Sequence, residues 1–244
     1  MILNFPLPVL AAEIRPDLRG AELLQMVKKD YAPDKTLGYR KGRDILYTKI
    51  DNQNGVVTGI YSDYSIKVNP NSDSPRKDAF QQDINAEHIY PQSKGAKGSA
   101  KSDLHSLFAA QVDVNRERGN SPFAEIDDSL TKKWLRKEQE LRTIPTESID
   151  EFSESLTNKA FEPRESKKGD VARAMFYFYT IYRFRADAED PNFFPKQQTT
   201  LCRWNAADSV DSAEITRSHQ VAQYQGNENP FVIDPTLAQR TYCQ

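Results

Sequence analysis

The stretch Asn85-Ala86-Glu87-His88-Ile89-Tyr90-Pro91-Gln92-Ser93 (NAEHIYPQS, residues 85–93) decides how the rest of the chain is read. Ala86 to Tyr90 reads as a strand that Pro91 closes, because proline has no N–H to give to a ladder. On a regular strand Glu87 and His88 point to opposite faces. They can serve one site only where the strand ends, bulges or twists strongly, and Pro91 favours a strand end. A second run, DLHSLFAAQVDVNRERGN, follows at 103–120. Its Leu104, Leu107, Phe108 and Val112 lie at helical spacing, which predicts a helix from Ser102 to Asn115 that Gly119 and Asn120 stop. Asn115 then stands near the helix end, its amide oxygen able to face a strand carrying Glu87.

Working outward, Gln92 to Ala100 (QSKGAKGSA) reads as a flexible basic loop and residues 69–83 as a polar loop. Upstream, Leu23, Met26 and Val27 predict a helix that Ala32-Pro33 stops. Ile45 to Ile50, Val56 to Tyr61 and Tyr64 to Val68 read as short strands, with a turn-rich connection at Asp51 to Gly55. Residues 125–168 are highly charged and read as an irregular insertion. Asp170 is placed to cap the apolar helix that follows, in which Val171, Met175, Phe178 and Tyr182 form a stripe. Phe176, Tyr177 and Tyr179 fill much of its remainder, so this is the expected central buried helix. A last helix is expected over Ser209 to Tyr224, followed by a closing loop from Gln225 to Pro235. The expectation is a single α+β domain over residues 19–244.

The chain has 244 residues and a formal net charge of −2, with 33 Lys plus Arg against 35 Asp plus Glu. Bulk coating of nucleic acid is excluded, whereas a local basic cleft is not. No apolar run approaches the roughly 18 residues a bilayer span needs. Two cysteines, Cys202 and Cys243, rule out an all-cysteine zinc site and leave one bridge or two unpaired thiols open. Residues 1–18 read as an N-terminal arm or a signal-peptide remnant. Met1 to Ala12 is apolar and ends in small residues, but it lacks a basic start and carries two prolines.

With three histidines in the chain, each can be weighed. His219 lies among polar residues of a surface helix, and His105 beside Leu104 and Leu107 reads first as a structural histidine. His88 next to Glu87 is the informative one. A carboxylate and an amide oxygen suit magnesium, which prefers oxygen ligands and keeps several waters. A neutral imidazole beside them could take a proton from an attacking water. Lys168 and Arg173 read as capping and ion-pair residues, and Gln225, Gly226, Asn227 and Asn229 as loop formers. Arg116 and Arg118 divide between packing and contact with a nucleic-acid backbone. A His-Glu-x-x-His zinc peptidase is excluded by the absence of the motif.

Taken in order, NAEHIYPQS (85–93), SDLHSLFAAQVDVNRERGNSPF (102–123), FEPRESKKGDVARAMFYFYTIY (161–182), CRWNAADSVD (202–211) and YQGNENPFVIDP (224–235) give the chain a clear likeness. It resembles the bacterial endonuclease I family of secreted and periplasmic nucleases, which has the ββα-metal (His-Me finger) core. The resemblance implies a nonspecific endonuclease using Mg2+, with Mn2+ or Ca2+ as substitutes. DNA is the implied substrate and RNA a second one, with products carrying 5′-phosphates and an extracellular or periplasmic location. Glu87 and Asn115 match the family's metal ligands, and His88 matches its general base, with His105 the next candidate for that role. The family holds the scissile phosphate with a basic side chain between the two motifs. Here that loop is short and offers Lys94, Lys97 and Lys101 but no arginine, and Lys101 stands where some relatives have glutamate. The phosphate-holding residue is thus unassigned. Two other readings stay open: a non-catalytic nucleic-acid-binding or extracellular interaction module on the same fold, and a metal-dependent enzyme acting on a lipid or small-nucleotide phosphodiester.

Overall fold

The stripe at Val171–Tyr182 organises the molecule in the computed structural model, which describes residues 13–243. In chain order the elements are α1 (Gly20–Tyr31), α2 (Tyr39–Ile45), β1 (Asn52–Gln53), β2 (Val56–Thr58), β3 (Ser65–Lys67), α3 (Pro75–Gln81), β4 (Ile84–His88), β5 (Leu107–Gln111) and α4 (Val112–Arg118). There follow β6 (Lys133–Arg136), β7 (Gln139–Leu141), β8 (Ser153–Leu156), β9 (Ala160–Glu162), α5 (Lys168–Glu189), α6 (Gln198–Ala207), α7 (Ser212–Gln225), α8 (Pro230–Ile233) and α9 (Leu237–Thr241). The mixture of helices and small antiparallel sheets is α+β, as expected. The strands form three sheets, in the orders β1-β2-β3, β4-β5 and β7-β6-β8-β9.

Helix α5 is buried along most of its length, with Val171, Met175, Phe176, Tyr177 and Phe178 fully enclosed. Around it Leu201, Trp204, Phe194, Phe231 and Tyr242 make the larger core, and Leu23 and Val27 of α1 join it. A second, smaller core gathers Leu46, Tyr47, Ile50, Val57, Ile66 and Ile84. The β4–β5 hairpin is the wall between the two. Phe108 and Ala110 face the larger cluster, whereas Leu107 and Ala109 face the smaller one. A hairpin buried on both sides needs a continuous apolar run rather than an alternating one.

That requirement explains the main departure from expectation. Ser102 to Asn115 is not one helix: a short 3-10 turn ends at Ser102, Leu107–Gln111 is strand β5, and α4 begins at Val112. The run Leu-Phe-Ala-Ala satisfies a helical stripe and a two-sided strand equally well, and pairing with β4 selects the strand. Ile45 to Ile50 is likewise not a strand but the end of α2 and a wide π-helical turn over Leu46–Ile50. Leu46, Tyr47 and Ile50 are all buried, which is helical rather than alternating spacing. Within the expected loop at 69–83 lies α3, started by Ser74 with Pro75 in its first turn. Residues 125–168 hold the four-stranded sheet, anchored by the enclosed Trp134 and Phe161. Asp170 sits inside α5, where it accepts from Lys167 at 2.7 Å, rather than capping it. The last long helix starts at Ser212 behind an Asp211–Glu214 capping box. The loop expected after it contains α8.

Buried ion pairs lock these pieces together. Arg173 donates to both carboxylate oxygens of Glu214, at 2.7 and 2.6 Å, and to the Asp208 carbonyl at 2.8 Å. Lys168 meets Glu162 at 2.7 Å and Glu165 at 2.5 Å. Both cations therefore take the structural role read for them. Cys202 and Cys243 are joined in a disulfide, the first of the two alternatives. The expected arm over 1–18 lies mostly outside the described residues; of its described part, Ile14 donates its backbone N–H to Asp234 at 2.8 Å. Replacing Arg173 with alanine strands the Glu214 carboxylate in the interior. Urea unfolding of Arg173→Ala should show a loss of about 3–5 kcal/mol at unchanged m-value.

Candidate active site

Strand β4 pairs with β5 in a register that sets Glu87 opposite Phe108 and His88 opposite Leu107. The strand ends at His88, and α4 follows β5 without a gap, giving a strand–strand–helix unit. Arg118, in the last turn of α4, is enclosed and spans that strand end. It donates to the Ile89 carbonyl at 2.7 Å, to the His88 carbonyl at 3.4 Å and to the Gly119 carbonyl at 3.2 Å. The same guanidinium stands 3.3 Å from Glu87 Oε1 and lies 4.5 Å above the Phe123 ring. Carbonyls that would have continued the β ladder are thereby turned onto Arg118.

Glu87 is 3% exposed. Its Oε1 also accepts from the Tyr61 hydroxyl at 2.7 Å, so both of these side-chain contacts fall on one oxygen. Burial raises the Glu87 pKa, opposed by Arg118 and by the Tyr61 hydrogen bond. Asn115 and Arg118 are three apart on one face of α4 and meet Asn85 and Glu87, two apart on one face of β4. Asn115 Nδ2 donates to Asn85 Oδ1 at 2.7 Å.

His88 is held from another direction. Its Nε2 lies 2.9 Å from the Lys101 carbonyl, which can only accept, so Nε2 carries the proton and Nδ1 the lone pair. Gln92 Nε2 faces that lone pair at 3.4 Å. The Tyr39 ring packs on the imidazole with centroids 5.4 Å apart. Burial raises the Tyr39 pKa, Arg43 opposes the rise, and the Glu87 charge adds to it. Burial also pushes the His88 pKa down to about 4.

Other residues singled out in the sequence fall elsewhere. Lys94 is paired with Asp190 at 2.8 Å and Lys97 with Glu189 at 2.7 Å. Lys101 sits with its ammonium 4.4 Å from the Tyr39 ring centroid. Arg116 is exposed and pairs with Asp113 at 2.9 Å, whereas Arg118 is fully enclosed and presents nothing to a substrate. His105 is buried, donates Nε2–H to the Asn227 carbonyl at 2.9 Å, and packs on Tyr177. His219 is surface-exposed and meets Glu228 at 3.0 Å. Gln225, Asn227 and Asn229 are buried hydrogen-bonding residues rather than plain loop formers. A cavity of about 650 Å³ includes His105, Asp51 and Arg217 but not Glu87, His88 or Asn115. Its charged groups are spent on internal pairs, such as Arg217 with Asp51 at 2.9 Å. Tyr61, Gln92 and Tyr39 were not read from the sequence, since only the folded chain brings them to the Glu-His pair.

Among the described residues, no three His, Cys, Asp or Glu side chains converge as a metal cluster. A cation here would be held by the Glu87 carboxylate and the Asn115 amide oxygen. Two hard oxygens of that kind fit Mg2+, which fills its octahedron with water and substrate oxygens.

The site is thus a strand–strand–helix unit carrying a carboxylate, an oriented neutral imidazole and an amide side chain. The match of residues 19–236 to the Endonuclease I family model shows that the chain belongs to that family. It is 32% identical over 172 residues to an extracellular ribonuclease of Bacillus subtilis (strain 168), covering 64% of this chain and 53% of that protein. An extracellular ribonuclease of Bacillus amyloliquefaciens is 31% identical over 170 residues, again 64% and 53%. A periplasmic deoxyribonuclease of Aeromonas hydrophila is 26% identical over 178 residues, covering 65% of this chain and 67% of that protein. The matches thus span about half the length of the Bacillus relatives.

His88 and His105 are both pushed down by burial to about 4, so each must be neutral in the folded state and charges readily in the unfolded one. Stability from such groups is complete above about pH 6.5 and is lost as pH falls toward 4. Urea unfolding in EDTA should lose about 2 kcal/mol per histidine between pH 7 and 4.5. His105→Gln should flatten that slope by about half.

Proposed function

We propose that the chain is a metal-dependent endonuclease that hydrolyses phosphodiester bonds of DNA and RNA without sequence specificity and leaves 5′-phosphates. The observation that carries this reading is the hydrogen bond from His88 Nε2–H to the Lys101 carbonyl. It fixes the tautomer whose lone pair is on Nδ1, on the residue that follows Glu87 where β4 ends. A binding module has no use for a buried imidazole held in the basic tautomer. Support also comes from membership of the Endonuclease I family and from relatives named as ribonucleases and deoxyribonucleases. We assign the unit to the His-Me finger class.

His88 Nδ1 takes the proton of a water aligned with phosphorus, and the hydroxide attacks as the bond to the 3′-oxygen breaks. The Lys101 carbonyl stabilises the imidazolium that results, since Nε2–H keeps its acceptor. Gln92 orients the ring and gives way to the water at Nδ1. Arg118 and the Tyr61 hydroxyl favour the ionised Glu87 carboxylate against its burial and fix its Oε1, with Oε2 as the oxygen for a cation. Bound between Glu87 and Asn115, Mg2+ would supply Lewis-acid stabilisation of charge on the phosphoryl and leaving oxygens, with Mn2+ or Ca2+ as substitutes.

Export to the periplasm or medium fits the names of the relatives and a disulfide, which persists in oxidising compartments. No helix among the described residues is long and apolar enough to cross a membrane.

Supercoiled plasmid incubated with Mg2+ should be nicked and then degraded, EDTA should abolish this, and His88→Ala should cost on the order of 10² to 10⁴ in rate. Intact plasmid across pH, salt and metal ions would overturn the nuclease reading. Because the base is active when unprotonated, a lowered His88 pKa moves the acid limb of kcat/KM downward, from about 6.5 toward 4. Rates measured from pH 4 to 8 check that displacement.

A further inference from the structure

Of the basic residues expected to hold substrate, Lys94, Lys97 and Arg116 are engaged in ion pairs and Arg118 is buried. The segment Tyr39-Arg40-Lys41-Gly42-Arg43 opens α2 and brings a further cation, Arg43, beside Lys101. The Arg43 guanidinium lies 4.2 Å from the Tyr39 ring centroid and the Lys101 ammonium 4.4 Å from it, on the ring that packs against His88. Among the described residues neither Arg43 nor Lys101 has a carboxylate partner within ion-pair distance, and the same holds for Lys77 on α3.

Between α2 and α3 runs a groove of about 420 Å³, lined by Arg43, Arg76, Lys77, Phe80, Ile84 and Asn85 among others, with three cations and no carboxylate in its walls. Arg76 ties the two helices by donating to both oxygens of Asp44, at 2.9 and 2.8 Å. Phe80 stands on the groove 62% exposed. At its other end the groove reaches Asn85, the residue that holds Asn115 in place. A path from an open aromatic ring, past unpaired cations, to the candidate active centre suits a polyanion whose bases are free to stack.

We propose that this groove seats an unpaired nucleotide next to the scissile phosphate, with Phe80 as the stacking platform and Arg43 and Lys77 on the backbone phosphates, so that single strands are preferred over duplex. The proposal rests on the nuclease reading above and names its substrate class. Bases inside a duplex are stacked on one another and cannot lie on Phe80 without being flipped out, which costs unpairing and unstacking. Single-stranded DNA and RNA offer the same face.

The test is fluorescence anisotropy in EDTA, with a labelled single-stranded oligodeoxynucleotide and its duplex as probes and the full chain as protein. The wild type should bind the single strand more tightly, and Phe80→Ala should lower the ratio of single-strand to duplex affinity about tenfold. Phe80→Trp should restore it, and Phe184→Ala, at a ring 83% exposed on α5, should move neither affinity. Lys77→Ala should lower the salt slope of single-strand binding by about 0.7. Phe80→Ala behaving like Phe184→Ala, or losing both affinities equally, would overturn the proposal. Since no metal or cleavage is involved, a protein that fails to cut plasmid would sink the nuclease reading while this measurement still decided the groove.

Discussion

Arg118 is the constraint on which the candidate site depends. A strand alternates its side chains, so a Glu-His pair within one would be split between two environments. By drawing the His88 and Ile89 carbonyls onto a single guanidinium, Arg118 ends the ladder where the pair stands. It also meets the Glu87 carboxylate, so the group that shapes the backbone balances the charge that backbone presents. Burying a guanidinium is costly unless its donors are satisfied; here three carbonyls and a carboxylate take up its terminal nitrogens and the Phe123 ring covers it, while Nε has no partner among the described residues. One arginine thereby couples the end of β4 to the end of α4, and Asn115 is carried into position on the same helix face.

What the sequence revealed and what it hid have physical causes. The Glu-His pair and Asn115 stand in local motifs whose spacing survives without knowledge of contacts. Strand β4 was legible from its apolar run ahead of Pro91, though it spans Ile84–His88 rather than Ala86 to Tyr90 and ends before the proline, and α5 because its apolar stripe is long. Strand β5 was not, since Leu107 to Ala110 is buried on both faces and so shows no period of two. Tyr47, Thr48 and Ile50 misled in the converse way, as β-favouring residues inside a helical turn that packs on a core. The role of Arg118 was also hidden: its neighbours suggest a surface helix, and only the fold shows that this turn faces inward. Tyr61 and Tyr39 reach the pair from elements far upstream, and contacts of that kind leave no mark on either segment.

The electrostatics explain how a chain of net charge −2 can present a basic face. Many of its cations are structural and carry acids with them: Arg173 with Glu214, Lys168 with Glu162, Arg217 with Asp51, Arg240 with Asp234. Lys94 and Lys97 are likewise matched by Asp190 and Glu189. These pairs cancel inside or along the surface and contribute little field at a distance. Among the described residues the cations of α2 and Lys77 of α3 are in no ion pair, so a charge balance near zero still leaves uncompensated cations on these two helices.

That separation also bears on the two cavities. The larger one is rich in charge, yet its charges are committed to one another, and a ligand entering it would have to break pairs that hold α7 to the β1–β5 side of the molecule. The smaller groove holds fewer groups, and of its three cations only Arg76 is tied to an acid. Affinity for an anion follows uncompensated charge rather than volume, because a cation already paired gains little by exchanging one carboxylate for a phosphate. Judged by size alone the binding face would be sought around Arg217. Judged by which charges are free, it would be sought between α2 and α3, where the groove runs to Asn85 on β4.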